Sequence, residues 1–138
     1  MNTYPAAGPS KARLDPEELI AISQKATGLT DFGDTDPRES LHQLTQSLNE
    51  EACLTEAGVA SKRASLIRVL SNRLLLHDAF VRNPRIADEK IVKPIVILGL
   101  PRSGTTKLHR MIAADPQMQK LPLWKLLYPV RALTPGPG

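Results

Sequence analysis

The sequence predicts an α/β protein: N-terminal helices, then the first strand–loop–helix unit of a parallel-sheet domain. Three observations carry this. Capped segments with apolar residues at helical spacing fill the first two thirds of the chain. A continuous apolar run, "PIVILGL" from Pro94 to Leu100, has the length and the Ile/Val content of a strand buried on both faces. Directly behind it "GLPRSGTT" sets Gly99 and Gly104 around four residues, just ahead of renewed helical spacing.

Residues 1–13 are small, polar and proline-bearing, without periodicity, and read as a disordered lead. "LDPEELIAISQKATG" then predicts a helix. Asp15 caps it, Pro16 suits its first position and Glu18 has capping-box spacing. Leu19, Ile20 and Ile22 supply its apolar contacts, and Gly28 ends it in a left-handed conformation. "DPRESLHQLTQSLNE" repeats the device with Asp36 as cap, Pro37 in the first turn and Glu39 three residues after the cap. Leu41, Leu44 and Leu48 form its stripe. A third helix is expected from about Glu56 to about Arg82. Leu66, Val69, Leu70, Leu74 and Phe80 mark its apolar side, and Asn83–Pro84 stops it. Its Lys62, Arg63, Arg68, Arg73 and Arg82 read as a solvated face. After the glycine loop, "TKLHRMIAA" resumes helical spacing through Leu108, Met111 and Ile112, and Asp115–Pro116 closes it. "LPLWKLLYPV" reads as a short helix or an extended stretch, and "LTPGPG" as no regular element.

A strand buried on both faces needs neighbours for its backbone hydrogen bonds. No second strong strand candidate follows in the sequence. The expectation is therefore the N-terminal part of a larger α/β domain. Its divisions are a lead at 1–13, a helical region at 14–92 and an incomplete domain from 93 to 138.

Charge is unevenly spread. Residues 1–54 carry 4 basic and 9 acidic groups, residues 55–93 carry 8 and 4, and residues 94–138 carry 6 and 1. The basic end holds the glycine loop, which suits an anionic ligand. No basic tract is interleaved with aromatics, so nucleic acid is not the expected partner. The single cysteine, Cys53, excludes an internal disulfide framework and a cysteine-based metal site. It reads as a packed thiol. His42, His77 and His109 have no partners at metal-ligand spacing. With no signal-peptide pattern and no bilayer-length apolar run, the expected location is the cytoplasm, away from membranes.

A glycine loop between strand and helix gathers backbone N–H groups and the positive end of the helix dipole around one point. Gly99 is expected to permit the turn out of the strand, and Gly104 to let the backbone approach the anion. Ser103, Thr105 and Thr106 offer hydroxyl groups, and Arg102 offers a charged fork. A nucleotide hydrolase keeps lysine after the second glycine; here Thr105 stands there, and Lys107 reads as pointing elsewhere on the helix. ATP or GTP hydrolysis is therefore disfavoured.

"PIVILGLPRSGTTKLHRMIAADP" resembles the phosphosulfate-binding P-loop of the sulfotransferases, in particular the bacterial-type branch, and the helical region before it is similar as well. The resemblance implies 3′-phosphoadenosine 5′-phosphosulfate (PAPS) as sulfuryl donor, no metal, and an acceptor hydroxyl or amine. It assigns donor binding to Arg102, Ser103, Gly104, Thr105 and Thr106. Arg102 is also the implied catalytic residue, stabilising the departing oxygen. The groups that would hold the 3′-phosphate and the adenine belong to later elements. The acid that related sequences place after a tryptophan is absent, since Lys125 follows Trp124. His109 reads as a packing residue rather than a base. The chain alone is thus expected to be inactive. Two rival readings remain at this level: a P-loop nucleotide kinase-like protein, and a non-catalytic helical interaction module with a vestigial loop.

Overall fold

The computed structural model describes residues 13–119 and 121–130. The predicted disordered lead, apart from Arg13, and the "LTPGPG" stretch lie outside the described residues. The chain divides at Asn83 and Pro84 into two units.

The first unit holds three helices, α1 (Pro16–Thr27), α2 (Arg38–Glu50) and α3 (Glu56–Arg82). Its entry is anchored by Asn49, whose amide donates to the Leu14 carbonyl at 3.0 Å and accepts the Leu14 N–H at 2.9 Å. α1 begins as its sequence dictates. The Asp15 carboxylate accepts from the Glu17 and Glu18 N–H groups, and the helix ends at Gly28 with φ 71°. The capping-box glutamate departs from expectation. Glu18 takes a two-pronged bond from the Arg63 guanidinium on α3, at 2.9 and 2.6 Å. That hydrogen bond holds the Glu18 carboxyl below its usual range. At α2, Asp36 stands one residue too early to be the cap. The Leu41 N–H bonds to the Pro37 carbonyl, so Pro37 holds that position, while Asp36 accepts from the Arg38 N–H and guanidinium. α3 opens on a cap that the sequence reading did not name: Thr55 Oγ1 accepts the Gly58 N–H at 3.2 Å.

α1 packs mainly on α3 and also on α2. Leu19, Ile20, Phe32, Leu41, Leu70 and Leu74 form one core, with Leu29, Leu66 and Ile67 against it. Ser23 is fully buried at the α1–α3 contact, and its hydroxyl donates to the Leu19 carbonyl at 2.8 Å, with the Ile67 carbonyl 3.3 Å away. The core corrects two stripes. In α2 the buried partner of Leu41 is Thr45, whereas Leu44 is exposed: steps of three and four both keep to one side of a helix, and the packing of α1 and α3 selects between them. In α3, Val69 and Phe80 are exposed while Val59 is buried.

The charges of α3 hold structure together rather than only facing water. Arg73 bonds the Phe32 and Thr35 carbonyls of the α1–α2 connection. His77 lies 3.2 Å from Asp31. Asp31 also accepts the Gly33 N–H, and this bond, with His77 adding to it, lowers the Asp31 pKa. Gly33 is required twice over there: its φ is 83°, and a Cβ would come 2.8 Å from His77 Nδ1.

The second unit opens on a 3-10 helix, Pro84–Asp88, and carries α4 (Thr105–Ile112) and α5 (Leu123–Leu127). "LPLWKLLYPV" therefore contains a short helix. The predicted strand is not observed: among the described residues no strand is present, and residues 94–100 run without regular structure. The reason is the one the sequence raised, since a strand exists only through a neighbour's hydrogen bonds and none pairs with this segment. None of the described residues after Asn83 is buried. No helix among the described residues is long and apolar enough to cross a membrane.

Candidate functional site

The glycine loop leads into α4 through two left-handed residues. Arg102 has φ 67° and Gly104 has φ 86°, with Gly104 as the helix N-cap. For Arg102, which has a Cβ, this conformation costs on the order of 1 kcal/mol. Between them the Ser103 N–H donates to the Leu100 carbonyl at 3.1 Å and closes the turn. The two glycines are required for different reasons. A Cβ on Gly99 would sit 2.6 Å from Ser103 Oγ and 2.7 Å from Thr105 Cγ2, so Gly99 makes room for those side chains. At Gly104 a Cβ would meet nothing within 4 Å; there the left-handed turn itself demands glycine.

The Lys107 and Leu108 N–H groups both bond to the Gly104 carbonyl, at 2.9 and 3.1 Å. Among the described residues, no protein acceptor meets the N–H groups of Gly104, Thr105 and Thr106. These are the donors that a helix start leaves over, at the positive end of its dipole. Beside them lies an open hollow of about 610 Å³, lined by Arg102, Gly104, Thr105, Thr106, Lys107 and Arg110. Three of those six residues are cationic and none is acidic. The arrangement has the donors and the charge to hold an oxyanion.

Four of the five residues singled out from the sequence, Arg102, Gly104, Thr105 and Thr106, thus share one hollow. Ser103 does not line it, and its N–H serves the turn. Two lining residues were missed. Lys107, read as pointing away, lies three positions after Gly104 and returns to the same side of the helix. Arg110 follows Lys107 by three and Thr106 by four, which is the spacing of one helix face. That spacing was the available signal. His109 on the same helix is exposed and lies outside the lining set. Trp124 is also exposed, with Lys125 Nζ 5.7 Å from its ring centre. Cys53, expected to be packed, is exposed. Among the described residues no group of three or more His, Cys, Asp or Glu is placed to hold a metal ion.

Known proteins bear on this geometry. Residues 94–135, which include the whole loop and α4, match the model of the sulfotransferase family. The crystal structure of a sulfotransferase from Mycobacterium tuberculosis is similar to this chain with a TM-score of 0.78 and 41% sequence identity. The likeness covers 87% of this chain and 33% of that one. No curated protein matches significantly. With the family match taking in the glycine loop, and the 41% identical likeness covering 87% of the chain, the chain belongs to the sulfotransferase family and spans about a third of the length of the solved relative.

Proposed function

We propose that the loop at Gly99–Thr106 binds the 5′-phosphosulfate of PAPS, in a protein of sulfotransferase type that transfers the sulfuryl group to an acceptor hydroxyl or amine. The observation that carries this is the set of three unbonded N–H groups, at Gly104, Thr105 and Thr106, beside a hollow lined by Arg102, Lys107 and Arg110. The donor, when bound, supplies an activated sulfuryl group. The chain's part is to hold and orient it. The helix-start N–H groups neutralise the anion, the Thr105 and Thr106 hydroxyls add donors, and Ser103 keeps the turn closed. Arg102 stabilises charge on the departing oxygen. Positioning and electrostatics of this kind suffice for group transfer without covalent catalysis.

In this reading residues 14–92 are a helical N-terminal region, and the P-loop domain starts at 93 and is incomplete. The protein works in the cytoplasm on small molecules, with no nucleic acid or membrane partner and no metal. The chain alone does not transfer sulfate, because the 3′-phosphate and adenine contacts and the base belong to later elements. Lys107 in the same hollow gives the kinase-like reading its one support, so magnesium ATP is the necessary control.

The test is a thermal melt of the chain alone, with 3′,5′-adenosine bisphosphate, and with magnesium ATP. A ligand that binds only the folded form raises the midpoint. The bisphosphate should raise it, and Arg102→Ala should abolish the rise. A rise with magnesium ATP alone would replace this reading with the kinase-like one. No rise with either would remove both. Label transfer from PAPS by the purified chain would overturn the claim of inactivity.

A further inference from the structure

We propose that Lys107 is a specificity-determining residue of the donor hollow: its ammonium holds the sulfuryl end of a phosphosulfate, one oxyanion beyond the phosphate that the loop N–H groups hold. The inference deepens the donor reading and rests on it.

The first observation is how the lining residues follow one another around α4. Successive helical residues turn by about 100° and rise about 1.5 Å. Thr106, Arg110 and Lys107 therefore stand in that order across one stripe about 100° wide, and all three line the same hollow. Side chains on a helix tilt toward its N-terminus, so Arg110 and Lys107 both lean toward the loop. Arg110, next to Thr106 on the stripe, falls to the phosphate. Lys107, at the far edge, falls to a group beyond it. The second observation is room and charge. The Gly104, Thr105 and Thr106 N–H groups with Arg102 already provide for one oxyanion. An oxyanion is only a few times the size of a water molecule, whose share of liquid volume is about 30 Å³. The hollow of about 610 Å³ has space for a second one beside the first.

The helix cations also differ between the two units. Arg38, Arg63 and Arg82 each pair with a carboxylate, whereas among the described residues neither Lys107 nor Arg110 does. Asp115, the one acid between residues 94 and 138, accepts the Gln117 N–H at 2.9 Å. The cations of α4 are gathered around the hollow rather than around a carboxylate. The chemistry of the donor supplies the rest. A phosphosulfate spreads two negative charges over two linked centres. A 5′-phosphate monoester carries nearly the same total on one centre at about pH 7.5, since its second pKa is near 6. Total charge does not tell these two apart; a cation set off from the phosphate does. A lysine ammonium, compact and with three rotatable donors, suits the three terminal oxygens of a sulfuryl group.

The experiment is isothermal titration of the full chain with adenosine 5′-phosphosulfate and with adenosine 5′-monophosphate, at low salt and without metal. The two ligands share the nucleoside and the 5′-phosphate and differ in the sulfuryl group. The phosphosulfate should bind about tenfold tighter, as expected for one charge-assisted contact. Lys107→Met should remove that preference and leave the monophosphate affinity nearly unchanged. Lys107→Arg should keep most of the preference, which a merely structural role of the side chain does not explain. The melt of the first unit should not move in either variant. A preference that survives Lys107→Met overturns the proposal and leaves the donor reading standing. So does equal binding of the two nucleotides by the unaltered chain. Binding of neither nucleotide removes the donor reading itself, and this inference with it.

Discussion

Up to Asn83 the chain builds a core of buried leucines; from Pro84 onward none of the described residues is buried. Leu19 and Leu74 are 0% exposed, while Leu98 is 87% exposed. The two stretches differ less in apolar content than in how local their partners are. α1, α2 and α3 find each other through short connections, so one helix covers the next. Residues 94–100 need strands beside them, and no nearby residue supplies one. Apolar character therefore marks a residue for burial without saying that its cover is close in sequence.

The widest test of this contrast is a pair of identical substitutions. Leu74→Ala should lower the stability of the first unit by about 2–5 kcal/mol, the usual cost of emptying a buried leucine site. Leu98→Ala should leave the melt of the chain unchanged. Chemical denaturation followed by circular dichroism reads both. Equal losses would mean that residue 98 is packed in solution and would erase the contrast.

A smaller effect is expected at the hollow. Arg110→Ala should weaken binding of 3′,5′-adenosine bisphosphate by about tenfold, as expected for one charge-assisted contact. The first unit's melt should not move. Isothermal titration would show it. Undiminished affinity would take Arg110 out of the site.

Next comes a cap. Asp15→Ala removes the acceptor of two N–H groups at the start of α1 and should cost about 1 kcal/mol. Gly or Asn at the same position should recover part of the loss, which separates capping from other roles of the carboxylate.

The smallest effect is with pH. Glu18 is held low by the Arg63 hydrogen bond, Asp31 by the Gly33 N–H and then His77, and Asp36 by the Arg38 N–H and guanidinium. A carboxyl with a lowered folded pKa stabilises the fold above its unfolded pKa and loses that contribution as pH falls through the folded value. All three lie in the first unit, so its melting midpoint should fall slightly between about pH 5 and pH 3. Glu18→Gln should flatten that slope. A midpoint that rises on acidification would contradict these pairings.

Local chemistry made much of this legible in advance. Asp15, Pro16 and Gly28 bound α1 as read, and Asn83–Pro84 ends α3. Two glycines spaced ahead of a helix marked the loop, and four of the residues read from it line one hollow. Stripes were less reliable: Leu44 obeys helical periodicity yet faces water, while Thr45 is buried, because a face is chosen by what packs on it. The same holds for Glu18, whose spacing suits a capping box but whose carboxylate goes to Arg63, 45 residues away.

By itself, then, the sequence determined helix starts and stops, the left-handed Gly28 and Gly104, and the family written in the loop, since each depends on groups a few residues apart. Only the tertiary structure decided which leucines are core, that Arg73 and His77 hold the α1–α2 connection, that Lys107 and Arg110 join the hollow, and that Gly99 serves space rather than a turn. It also decided that "PIVILGL" is no strand here. A strand is made by its neighbours' hydrogen bonds, and no neighbour is written in its own residues.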